Sequence, residues 1–89
     1  MSFTVVWKPE AERRLATIWT DAMDRDAITK AASAIDKALK SNPEKLGESR
    51  GKGRRIWLEV PLGVIFRVSP PDRMVTVLTV WIYERRGKR

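Results

Sequence analysis

The stretch SRGKGRRIW, residues 49–57, sets Arg50, Lys52, Arg54 and Arg55 around two glycines, directly ahead of a run of apolar residues. Guanidinium groups fork onto phosphate oxygens, and glycines let a backbone approach a polyanion closely. The chemistry on offer is therefore the holding of a phosphate backbone. The same residues suit contact with an acidic protein segment, or a solvated basic loop. The chain contains no histidine and no cysteine. That removes the commonest general base, the thiolate nucleophile and the commonest metal ligands, so neither metal nor cofactor is expected.

Charge placement sharpens the reading. The formal net charge is +7, yet residues 1–46 carry 8 Lys/Arg against 7 Asp/Glu, while residues 47–89 carry 10 against 4. Nearly all the excess lies in the second half, and a one-sided basic field favours a polyanion or an acidic partner. At 89 residues, 43% hydrophobic and 33% charged, the chain reads as one globular domain over residues 1–89. A chain this size buries roughly 60–65% of its unfolded surface. Its longest apolar run, MVTVLTVWI (74–82), is too short for a membrane helix, and the N-terminus lacks a signal-peptide pattern. The expectation is a cytoplasmic, membrane-free protein.

The elements that must position these residues follow from periodicity. FTVVWK (3–8) is short and β-branched, as a strand requires. Pro9 suits the first turn of a helix, with Glu10 and Glu12 favourable to its dipole. Ala11, Leu15, Ile18, Trp19 and Ala22 then fall at helical spacing, and Trp7 and Trp19 read as core anchors. DRDA (24–27) supplies an N-cap, and Ile28, Ala31, Ile35, Ala38 and Leu39 make a second stripe that SNP (41–43) ends. So short a connection predicts an antiparallel helical hairpin. After a loop over 41–53 the period becomes two, giving three antiparallel strands separated by VPLG (60–63) and SPPDR (69–73). The fold class is α+β: one strand, two helices, then a three-stranded antiparallel sheet.

Alternation predicts that Leu62, Val64, Phe66, Leu78 and Val80 lie under the helices. The opposite face then carries Arg55, Trp57, Ile65, Arg67, Trp81 and Tyr83. Aromatic groups beside guanidinium groups can stack bases and grip phosphates, or receive a partner's helix or strand.

Taken in order, PEAERRLATIW, ALKSNP and PLGVIFRV…DRMVTVLTV make the chain resemble the RelE/ParE superfamily of toxins from type II toxin–antitoxin systems, over essentially its whole length. The resemblance implies a partner, an antitoxin whose segment wraps the toxin. It also implies one of two activities: ribosome-dependent cleavage of mRNA without metal, as in RelE-like members, or inhibition of DNA gyrase without nuclease chemistry, as in ParE-like members. For RNA cleavage the implied catalytic candidates are Arg55, Arg67, Tyr83 and Arg85, with Arg50, Lys52, Arg54, Trp81 and Arg86 binding nucleic acid. Two family arginines fall on Gly63 and Tyr83 here. A toxin-fold binding protein without activity is the third reading.

Overall fold

The computed structural model describes residues 2–83. Thr4–Trp7 (β1) leads through Lys8 into a helix, Pro9–Asp21 (α1), and a second helix, Arg25–Ser41 (α2). A 3₁₀ turn, Pro43–Lys45, precedes strands Glu48–Ser49 (β2), Arg54–Glu59 (β3), Leu62–Ser69 (β4) and Met74–Ile82 (β5), and a second, Pro70–Asp72, joins the last two. These make one five-stranded sheet in the order β1-β5-β4-β3-β2. The expected α+β order holds, with two additions. A two-residue strand sits inside the expected loop, and β1 joins the sheet parallel to β5, making it mixed rather than antiparallel.

Local chemistry explains the helices. Pro9 occupies the first turn of α1, where its missing N–H leaves no bond unmade, and Glu10 and Glu12 lie at the positive end of the dipole. Asp24 caps α2, accepting a hydrogen bond from the Ala27 N–H at 3.1 Å. Arg25 reaches back to donate to the Trp19 and Thr20 carbonyls, satisfying the C-terminal end of α1. Its guanidinium also lies 4.8 Å from the Trp19 ring centre. Trp19 is therefore no core anchor. It is 43% exposed and ties the two helices together, its indole N–H donating to Thr29 Oγ1.

Both helices pack on one side of the sheet. Ala11, Ile18, Ile28, Ala31, Ile35 and Leu39 meet Leu62, Val64, Phe66, Val75, Val77 and Val80 in one buried cluster. Burying this apolar surface is the main favourable term for so small a chain. Strand β1 stops opposite Val77, and along the stretch it does not reach, Arg14 Nε donates to the Val80 carbonyl at 3.1 Å.

Two expected facings are corrected. Val75 and Val77 lie in the core together with Val80, and Leu78 does not. The cause is a β-bulge: Ile65 pairs with Thr79 but Phe66 with Val77, so Leu78 is the extra residue and the alternation reverses there. On β3, Arg55 pairs with Phe66 and Trp57 with Val64. Paired residues share a face, so Arg55 and Trp57 stand on the helix side, whereas Arg54, Ile56 and Leu58 take the open side.

Candidate nucleic-acid interface

The helix-free face is built by β1, β5, β4 and β3 in turn. Register places Val6, Met74, Thr76, Thr79, Trp81, Gly63, Ile65, Arg67, Arg54, Ile56 and Leu58 on it. Val6, Met74 and Leu58 are each more than a third exposed. The face is thus an apolar floor with its charge concentrated at one place.

That place is the pair Arg54–Arg67. The two are directly opposed on neighbouring strands. Opposed residues have Cβ atoms about 5 Å apart, so two like charges are held together. Among the described residues neither joins an ion pair, and the buried Nε of Arg54 has no hydrogen-bond partner. A buried donor left unmade is costly, and guanidinium N–H groups bond strongly to anionic oxygens. The chemistry of the pair suits an anion.

Next to it runs the β2–β3 turn. Gly51, Lys52 and Gly53 all have positive φ, at 82°, 55° and 77°. Such a left-handed run is easy for glycine and rare for lysine, which explains the glycines on either side of Lys52. The turn is closed by the Arg50 N–H donating to the Arg54 carbonyl at 2.7 Å and the Arg54 N–H to the Gly51 carbonyl at 3.0 Å. Arg50 and Lys52 are exposed, and Arg50 pairs with Glu48 at 3.4 Å.

The other expected site residues are distributed differently. Arg55 Nε donates to the Leu46 carbonyl at 2.7 Å and its Nη2 to the Gly47 carbonyl at 3.1 Å, so its guanidinium is committed to backbone. Trp81 does reach the open face, where it lies across Gly63. A Cβ at Gly63 would meet the indole at 2.6 Å. Glycine there lets the ring lie against the strand, which leaves no room for the basic side chain that the resemblance implies at this position.

Tyr83 is held at the far end of β4, its N–H donating to the Pro61 carbonyl at 2.7 Å. At 3.3 Å per residue, the six positions from Pro61 to Arg67 span about 20 Å. The structure therefore brings Arg54, Arg67 and the basic turn together and keeps Tyr83 and Arg55 apart from them. Arg85 and Arg86 lie outside the described residues. Sequence reading assigned Arg54 a secondary role. Its pairing with Arg67 is a matter of register, which no residue-type signal encodes.

A second concavity lies on the helix side, at the α1–α2 turn. This groove of about 970 Å³ has Ile18, Ala22, Ile28, Pro61 and Ile82 in its walls, with Arg13 and Arg14 at one side and Asp21 and Asp24 among its polar groups. Met23 is fully exposed beside it, and Ile82 is 39% exposed.

No family model and no curated protein matches the sequence. Solved structures do match the coordinates. The RelBE2 toxin–antitoxin complex of Mycobacterium tuberculosis superposes with a TM-score of 0.75 at 16% identity, covering 92% of each chain. The chromosomal ParDE system of P. aeruginosa gives 0.68 at 20% identity, covering 92% of this chain and 97% of the other. The isolated E. coli RelE toxin gives 0.62 at 16% identity, covering 94% and 87%. From its first strand to its last described one, this chain carries the fold of the RelE and ParE toxin structures.

Proposed function

We propose that this chain is the toxin of a type II toxin–antitoxin pair, working in the cytoplasm on mRNA within the ribosome. Its neighbours include both a RelE-containing and a ParE-containing system, so the fold favours the toxin class without choosing an activity. One observation carries the RNA reading: Arg54 and Arg67, opposed and without an acidic partner among the described residues, on the sheet face left open by the helices. A phosphodiester seated between them would have its charge matched by forked N–H donors. As the deprotonated 2′-oxygen attacks phosphorus and the bond to the 5′-oxygen breaks, that oxygen leaving with a proton, the same donors would meet the extra charge on the non-bridging oxygens. The proton-transfer candidate in this reading is Tyr83, and Arg85 is a further candidate for charge stabilisation.

The antitoxin is the implied partner, and the groove at the helical turn is the second surface offering apolar contact. Fully exposed Met23 and half-exposed Ile82 beside buried Ile18 are what an amphipathic segment would cover.

One observation favours gyrase inhibition without cleavage. Tyr83 stands about 20 Å along β4 from Arg67, so a phenol and a guanidinium do not converge on one phosphate. The two readings are separated by controlled induction with translation, mRNA 5′ ends and plasmid supercoiling followed in parallel. Loss of translation with new mRNA ends, both abolished by Arg67→Ala, is the expected result. Relaxed plasmid DNA with intact mRNA would establish the second reading instead.

A further inference from the structure

The basic turn hangs from a weak stem. Strand β2 contributes only Glu48 and Ser49 to its ladder, opposite Ile56 and Arg55. Two bonded residues hold an arm poorly. The chain that enters this stem comes from the helix side, through the turn Pro43–Lys45 and then Leu46 and Gly47. There its backbone presses against β3. Gly47 has φ +66°, and a Cβ at that position would stand 1.8 Å from the Ile56 carbonyl oxygen. Nothing larger than glycine permits that approach.

Arg55 closes the same junction from the other strand. Its Nε and Nη2 donate to the successive carbonyls of Leu46 and Gly47, at 2.7 Å and 3.1 Å. A planar fork fits two neighbouring carbonyls as a single ammonium cannot. Arg55 lies next in sequence to Arg54, but on the opposite face of β3. It therefore does not point toward the phosphate site, yet it fixes the arm that carries Arg50 and Lys52 to it.

We propose that Arg55 is a positioning residue: its guanidinium clamps the base of the Glu48–Arg54 hairpin so that Lys52 stands beside the register-fixed pair Arg54–Arg67 for a phosphate-bearing ligand. The ligand side of this statement rests on the anion reading of the Arg54–Arg67 face, while the clamp is a property of the free protein. Because Arg55 spends both forked donors on backbone, a lysine restores part of the clamp and an alanine none of it.

The full chain and its R55K, R55A, K52A and R55A/K52A variants test this, by amide hydrogen exchange without ligand and by binding of a fluorescent single-stranded RNA decamer at several salt concentrations. Expected is a tenfold or greater rise in exchange at Arg50 and Arg54 in R55A, with an intermediate rise in R55K. In binding, K52A should weaken the wild type several-fold and add nothing in the R55A background, since coupled residues are not additive. Unchanged exchange, or losses from R55A and K52A that simply multiply, would overturn the clamp. Should R55A fail to fold, R55K carries the same comparison, and exchange equal to wild type at both amides refutes the proposal. If the wild type shows no salt-dependent RNA binding, the anion reading falls, and the exchange result alone still decides the clamp.

Discussion

Arg54 and Arg67 face each other across β3 and β4, two cations paired where folding alone would place an attractive couple. Directly opposed like charges disfavour a sheet by about 0.2–1 kcal/mol relative to neutral pairs. Arg67→Thr should therefore stabilise the protein by about 0.2–1 kcal/mol while abolishing growth inhibition. Thermal unfolding beside an induction assay checks both halves. A less stable variant that remains toxic would remove the anion site.

Gly63 and Trp81 give a packing test on the same face. Gly63→Ala drives a methyl to within 2.6 Å of the indole, so the ring must move. Overpacking of this kind costs about 1–3 kcal/mol. Trp81→Ala removes the obstacle, and the double variant should recover most of the loss caused by Gly63→Ala, measured against Trp81→Ala alone in urea unfolding.

Phe66 is fully buried on β4, within the core cluster that the sheet shares with the helices. Truncation to alanine should cost about 3–5 kcal/mol. Against the 5–15 kcal/mol typical of whole domains, that is a large share of the total. Phe66→Ala should accumulate as unfolded or degraded protein at growth temperature, and lose toxicity for that reason alone.

Asp24 supplies the control. Its carboxylate caps α2 at the helical turn, on the other side of the sheet from Arg54 and Arg67. Asp24→Ala should lower stability by about 1 kcal/mol. RNA binding below the melting transition should stay at the wild-type level. A matching drop in binding would tie the helical turn to the basic face.

Residue spacing carried the helices well, because their apolar stripes and caps are local. Pro9, Asp24 and the SNP ending are signals that act within a few residues of themselves. The strands misled for a physical reason. On β3 both phases of the alternation hold large apolar residues, Ile56 and Leu58 on one side and Trp57 on the other, so composition does not say which phase is inward. Choosing the wrong phase exchanged Arg54 for Arg55. On β5 strict alternation was assumed through VTVLTV, whereas Thr76 and Thr79 both lie on the open face three positions apart, an odd spacing that the bulge at Leu78 creates. Arg67 was placed on the correct face because β4 alternates from Leu62 to Val68, and Trp81 because it lies beyond the bulge, next to inward Val80.

The sheet order sets a schedule for synthesis. Strand β5 lies between β1 and β4, so the first strand made has no neighbour until Met74–Ile82 has left the ribosome. Pairings of such long sequence separation are slow to close. Until then the sheet lacks the strand that joins β1 to β4, and with it Met74, Thr76, Thr79 and Trp81 of the open face. The open face is therefore complete only once β5 has closed the gap between β1 and β4.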